Sequence, residues 1–366
     1  MTGAEDFVFR WATSADEPEI RLLVGSVAMP GAVAVRFERE PDYFLGTTIM
    51  GEPCDVLTAR HLPEGKLAGI ACRALKSAFL NGEDSRLGYV GQIRVSPQFQ
   101  GRWLVQHGAE AFREGSPEGI VYMGVIASDN PRALRLLVGD RLPAGLHTRR
   151  MGGITTLGVF LRPRRGSSAI EIHPAAQNGL HEMVAFLRRE GARKQFFPAY
   201  TVRDFMDGST LRGMRMQDIF VARRNGAIVG VMAAWDQSSY KQDVVAGYGP
   251  ALRRVRPLFD MLAPLMGAER LTPPGQAIPL VFAACVCVQR DDAAVMDALL
   301  RACARSGLER GKAFLMIGLA DNDTLLATAR KFMHVTYHSE LVAVSWSPGA
   351  LGRLDARTPY VEIATL

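Results

Sequence analysis

Apolar residues along this chain recur at two spacings, and the alternation between the two lays out its elements. Short alternating or wholly apolar runs predict strands at residues 7–11, 54–61, 66–76, 86–95, 119–127, 148–150 and 155–161. Apolar positions three and four apart predict helices at 17–27, with Ser14 as the cap, and at 38–45. Two more helices are predicted, one after Pro97 through Glu114 and one opened by Pro131, a residue suited to a first helical turn. Gly88 and Gly91 sit inside the strand at 86–95, where glycine marks a bulge or a close approach.

A polar segment at 162–168, Arg-Pro-Arg-Arg-Gly-Ser-Ser, reads as a linker. The order of elements then restarts, with strands at 170–173, 218–223, 228–236, 280–289, 313–319 and 338–346. Helices are predicted at 179–191, 253–266, 293–308 and 324–332. Val95 is followed by a helix, a strand and Ser-Asp-Asn130; Val288 is followed by a helix, a strand and Ala-Asp-Asn322, at a separation one residue shorter. The repeated order predicts a duplication, with domains at 1–163 and 168–366.

Composition narrows the class. The chain has 366 residues, 48% hydrophobic and 22% charged, enough for two globular cores. The longest apolar run, 278–288, falls short of the roughly 20 residues a membrane helix needs, so no membrane partner is expected. The opening MTGAEDFVFRW lacks a basic segment followed by an apolar one, and a cytoplasmic location is expected. Cys54, Cys72, Cys285, Cys287 and Cys303 show no paired spacing, so buried thiols are expected rather than disulfides or a metal site. The net charge of +6 suits a polyanionic cofactor; without zinc-finger or aromatic–basic spacing, nucleic acid is not expected.

The chemistry gathers at Gln92-Ile-Arg-Val-Ser-Pro-Gln-Phe-Gln-Gly-Arg-Trp-Leu104, a strand running through a loop into a helix. Backbone N–H groups at such a loop form an anion site, and Gly101 lets the backbone approach a pyrophosphate. This stretch resembles the GCN5-related N-acetyltransferase (GNAT) family, whose loop reads Gln/Arg-x-x-Gly-x-Gly/Ala after a strand ending Val-x-Pro. Val95, Pro97, Gln98 and Gly101 match; Trp103 stands where the last small residue belongs, and is expected to turn into the core rather than obstruct the phosphates. The resemblance covers most of 5–162 and, more weakly, 168–346. It implies an α/β fold of two tandem GNAT-like domains, each a mixed, mostly antiparallel twisted sheet flanked by helices. It further implies acetyl-CoA as cosubstrate, held by Ile93, Val95, Gln98, Phe99, Gln100, Gly101, Arg102, Trp103 and Leu104, with Asn130 and Arg132 beside it. Asn130 and Ala133 match the family's second signature, but Leu137 replaces its tyrosine, the usual acid for the departing thiolate.

Acyl transfer to an amine needs the amine deprotonated, the oxyanion stabilised and the thiolate protonated. The resemblance assigns the oxyanion to the Val95 N–H. Candidates facing the cleft are Tyr89, Gln92 (through an ordered water) and His147. In the second half the loop after Val288 has no glycine, and Asp291 and Asp292 stand where phosphates would go, so no cofactor is expected there. Two aromatic stretches remain: Trp235 to Gln242, a turn or a binding surface, and Phe196 to Tyr200, core or lid. The expected activity is acetyl transfer to the amine of a small molecule or peptide; the alternative is a non-catalytic acyl-CoA-binding protein. The acceptor and the oligomeric state are open at this level.

Overall fold

Most of the expected elements form. The computed structural model describes residues 6–366 apart from Pro30, Ala32, Gly101, 139–141, Ala144, 164–169 and 263–269, and without the side chains of Arg102, Trp103, Phe259 and Leu262. The first half runs β1 Phe7–Trp11, α1 Glu17–Ser26, β2 Ala28–Met29, β3 Val33–Glu38, β4 Cys54–His61, β5 Lys66–Leu80 and β6 Glu83–Val95. It continues with α2 Arg102–Glu114, β7 Val121–Ala127, α3 Pro131–Leu137 and β8 His147–Phe160. The second half begins β9 Glu171–Pro174, α4 Leu180–Gly191, α5 Val202–Asp207, β10 Ile219–Arg224, β11 Ala227–Trp235, β12 Gln242–Tyr248 and α6 Pro250–Leu262. It ends with β13 Leu280–Val288, α7 Ala293–Glu309, β14 Phe314–Ala320, α8 Leu325–Ala329, β15 His334–Ser345 and α9 Pro348–Gly352. Among these helices none is long and apolar enough to cross a membrane.

Three local expectations are corrected. The helix expected at 38–45 is instead the end of strand β3 followed by 3-10 turns at Tyr43–Gly46 and Thr48–Met50. Pro41 denies that segment a helix interior, and β3 gains partners in β2 and β12. Ser14 does not cap α1: a capping box of Thr13 and Asp16 closes the turn before it, and Arg10 grips Asp16 at 2.8 Å. The strands expected at 148–150 and 155–161 are one strand, β8, which passes through Gly152 at φ +126°. Of the linker expected at 162–168, residues 164–168 lie outside the described residues.

Twelve strands form one mixed, mostly antiparallel sheet in the order β1-β4-β5-β6-β7-β15-β8-β14-β13-β11-β10-β9, flanked by helices. The order mirrors itself about its centre. There β15, from the second half, pairs with β7, and β8, from the first, pairs with β14. β8 and β15 also pair with each other from His147↔Ser345 to Val159↔His334. Both halves therefore share one sheet, and one apolar core runs from Ile20 through Trp235 to Ala364. Strands β12, β3 and β2 form a separate three-stranded sheet.

The mirrored strands carry the same defect. In β6, Gln92 and Ile93 oppose the single residue Ala71 of β5, with Gln92 at φ +52°. In β13, Cys285 and Val286 oppose the single residue Met232 of β11, with Cys285 at φ +53°. Each positive φ falls three residues before the valines that mark the sequence repeat, Val95 and Val288. A bulge of this kind turns the strand and frees its N–H groups from the ladder.

Candidate active site

Strands β6 and β7 are parallel and pair only over Leu87↔Val121, Gly88↔Tyr122 and Tyr89↔Met123. Beyond that point β6 follows β5 while β7 follows β15, and the two strands part. The glycines place aromatic rings at the fork. A Cβ on Gly88 would lie 2.1 Å from the Tyr122 ring, and one on Gly91 would lie 2.0 Å from the Tyr89 hydroxyl. A cavity of 470 Å³ opens in the gap.

Tyr89, Gln92, Ile93, Val95, Leu104 and Asn130 line this cavity, as does Leu137. Phe99 does not: it packs edge-on against Phe7 and beside His61, in a small apolar cluster that also holds Leu104. Gln98 and Gln100 are exposed on the turn before α2. Gln100 Oε1 accepts from the Arg132 guanidinium at 2.8 Å, which ties that turn to the start of α3. Asn130 caps α3, its Oδ1 accepting from Ala133 N at 3.0 Å. Gly101 lies outside the described residues, and so do the side chains of Arg102 and Trp103, which begin α2. His147 is exposed at the start of β8 and is not among the cavity-lining residues.

Sequence reasoning missed the opposite wall. It is built by Phe37 and Arg39 at the end of β3, by Lys241 and Asp243 around the start of β12, and by Phe282, Met316 and Leu366. Arg94 of β6 faces the same space. Asp243 pairs in register with Phe37, so the small three-stranded sheet brings these groups together. The one local signal was the polar–aromatic stretch at 235–242, which reaches Lys241 but stops short of Asp243.

The wall is electrostatically tense. Burial pushes the Asp243 carboxyl up, against the pull of Lys241 and Arg39, and its Oδ1 has no hydrogen-bond partner among the described residues. Burial raises the Tyr89 hydroxyl too, so it stays protonated at neutral pH. Lys241 donates to main-chain oxygens of Ala364 and Leu366 at 3.1 and 2.9 Å, and lies 4.6 Å from the centre of the Phe282 ring. Burial, with Arg39 adding to it, lowers its pKa to about 7. An unfolded chain keeps the lysine proton well above that pH, so it binds more protons than the native state between pH 7 and the ordinary value of 10.5. Stability from this group therefore rises with pH across that window, by up to ~1.4 kcal/mol per unit. Lys241→Met should remove the rise, as chemical denaturation at pH 7 and pH 9 will show.

No family model and no curated protein matches this chain. Solved structures do. A GCN5-related glucosamine N-acetyltransferase region of a fungal multi-domain beta-N-acetylglucosaminidase superposes on 93% of the chain with a TM-score of 0.61 at 15% identity; the chain spans 38% of that protein. Saccharomyces cerevisiae N-myristoyltransferase with bound myristoyl-CoA gives 0.58 at 10% identity over 94% of this chain and 80% of its own. A GCN5-related N-acetyltransferase from Sphaerobacter thermophilus gives 0.56 at 14% identity over 100% of both chains. This chain has the GNAT fold.

Within that GNAT fold the second half offers a comparison made by the chain itself. β13 and β14 pair in parallel only over Leu280↔Phe314 to Phe282↔Met316 and then part, as β6 and β7 do. Here the gap is filled by the segment after α9. Glu362 Oε2 accepts from Cys285 N at 2.8 Å, and Val286 N donates to the Tyr360 hydroxyl at 3.1 Å. Ile363 presses on Gly318, where a Cβ would meet it at 2.2 Å. The bulge N–H groups of β13 thus point into the fork and are taken up by the chain's own side chains. The start of α7 is closed as well: Asp292 Oδ1 caps Ala294 N and Val295 N at 2.8 and 3.3 Å, and Asp291 pairs with Lys194 at 3.3 Å. Phe196 and Phe197 are buried in the core.

Proposed function

We propose that the chain is an acyl-CoA-dependent N-acyltransferase that moves an acetyl group from acetyl-CoA to the amine of a small molecule or peptide, with the first half holding the cosubstrate. The observation that carries this reading is the parting of β6 from β7 at a bulge, over a 470 Å³ cavity lined by Val95 at the strand's end and by Leu104 and Val105 of α2. The fit is chemical as well as spatial. The bulge of β13 offers two N–H groups to its fork, and the matching bulge of β6 lines the open cavity, where an amide-bearing pantetheine arm needs such donors. The polyanionic end would fall at the turn Pro97–Phe99 and the start of α2, with Gln98, Gln100 and Arg132 around it and Asn130 nearby. N-myristoyltransferase, a solved protein of this fold, has myristoyl-CoA bound.

In the reaction a C–N bond forms as the C–S bond breaks, and the proton lost by the amine is balanced by one gained by sulfur. Asp243 takes the amine proton: it lines the cavity, its Oδ1 has no partner among the described residues, and burial raises its carboxyl in the direction a base needs. Tyr89, which burial keeps protonated, is better placed to give a proton than to take one, and fills the role left vacant by Leu137. Gln92 Oε1, also without a partner, can accept from the amine. Lys241 is a poorer base, since it already donates to two main-chain oxygens. The same reading makes 1–163 and 168–366 a duplicated pair, the second giving up its own cleft to build the acceptor wall of the first.

Calorimetric titration of CoA, with thiol release from acetyl-CoA over a panel of amines, tests this. One CoA per chain is expected, and Gly101→Asp should abolish binding by setting bulk and negative charge beside the pyrophosphate. Two per chain, or unchanged affinity in that variant, overturns the assignment of the site. The non-catalytic reading rests on Leu137 in the lining; CoA binding without thiol release would favour it.

A further inference from the structure

The acceptor wall holds more charge than the acyl-transfer step uses. Arg39 is 2% exposed, yet its one described hydrogen bond goes to the carbonyl of its neighbour Glu38, at 2.9 Å, and no carboxylate pairs with it among the described residues. Gly46 leaves it room, since a Cβ there would lie 3.3 Å from its stem. Arg94 likewise donates only to the carbonyl of Ile93, at 3.0 Å, and its Nε is buried without a partner. Their guanidinium carbons lie 6.0 and 5.7 Å from the centre of the same Phe37 ring, so the two cations share one apolar anchor. Facing them are Lys241, committed to main-chain oxygens of Ala364 and Leu366, and Asp243, the one acidic side chain among the cavity-lining residues.

We propose, resting on the acyl-transfer reading above, that the acceptor is an amino-carboxylate: its amine faces Asp243 and Gln92, and Arg39 and Arg94 receive its carboxylate. Unpaired buried charge is costly, and buried polar atoms in native proteins nearly always find partners. The orphans here sort by type. Gln92 Oε1 and Asp243 Oδ1 want donors and the Arg94 Nε wants an acceptor, while the Arg39 guanidinium beside them has only the Glu38 carbonyl. An ammonium and a carboxylate on one compact molecule satisfy both sets. Guanidinium forks match a planar carboxylate in a way that a lysine would not. A plain amine would bring no acceptor for either guanidinium group.

The test compares, in the wild-type protein, thiol release from acetyl-CoA with a panel of amino acids, their carboxamides and the amines lacking the carboxylate. At least one amino acid should exceed both of its analogues in kcat/KM by about tenfold or more. Arg39→Met and Arg94→Met should raise that amino acid's KM by about tenfold or more, while leaving the carboxamide's KM and the CoA affinity within about twofold. Arg39→Lys and thermal melting show whether a variant has lost its fold, and the wild-type comparison stands without any variant. An analogue used as well as the amino acid, or a substitution that weakens all three alike, overturns the proposal while leaving acyl transfer intact. If no amine is acylated, amino acids are titrated into the CoA-bound protein. Arg39-dependent binding of the amino acid but not of its carboxamide then upholds the site and removes the transfer reading; no such binding overturns the site.

Discussion

Asp243→Asn should slow acyl transfer by about 10²- to 10⁴-fold, the usual worth of a positioned general base, while the affinity for CoA stays unchanged. The asparagine keeps the volume and one acceptor oxygen, so the wall is preserved and only proton abstraction is lost. The pH profile separates this from a structural effect. In the wild type the rate should fall as pH drops through the Asp243 pKa, which burial holds above the ordinary carboxylate range. The variant should lack that limb. A variant that keeps the wild-type profile, or that loses CoA binding in equal measure, would remove Asp243 from the proton path. On the proposed reading, a residue of the second half acts on chemistry housed in the first.

The second large effect is on stability. Glu362 is 3% exposed, and its Oε2 accepts from Cys285 N at 2.8 Å, Tyr360 OH at 2.8 Å and Tyr200 OH at 3.2 Å. Glu362→Ala leaves one N–H and two hydroxyls without an acceptor in a closed space, and should cost about 3 kcal/mol or more in chemical denaturation. Glu362→Gln keeps an acceptor oxygen and should cost much less. Burial raises the Glu362 pKa above its ordinary 4.5, though its hydrogen-bond donors and Lys76 oppose the rise. The native state therefore holds the proton more tightly than the unfolded chain. The stability that this supplies is fully present below pH 4.5 and is lost as pH climbs through the native value. The gap between wild type and Glu362→Gln should accordingly narrow with rising pH. Neither variant should let the second half bind CoA, because Asp292 still caps α7.

What the sequence made legible was local. The strand endings Val95 and Val288, the turn after Pro97 and the Asn130 cap all rest on neighbouring residues, and the strand and helix periodicities that frame them were readable. Of the motif residues, Ile93, Val95, Leu104 and Asn130 line the cavity that the fold opens, while Gln98 and Gln100 stay exposed and Phe99 packs against Phe7. The acceptor wall was not legible. Arg39 and Asp243 meet because β3 pairs with β12, a contact between distant segments that no window of sequence contains. β3 was hidden further because Glu38 opens a stretch that looks helical until its pairing is known. The segment at 360–366 carries no motif at all; its role appears only when Glu362 is seen to take the N–H of Cys285. For the same reason the exchange of β8 and β15 escaped notice, since apolar alternation specifies a face and not a partner.

That exchange sets a constraint on how the chain is made. The edge of β7 pairs with β15, Ala127 opposite Ser339, and β14 pairs with β8, Ala320 opposite Ile154. A ribosome that has released the first half has made a sheet with an open edge at β7, and nothing yet synthesised can cover it. Exposed edges recruit other strands, and pairings between remote segments form slowly. β15 is made near the end of the second half, so the shared sheet is expected to close late, with both walls of the cavity completed in the same event.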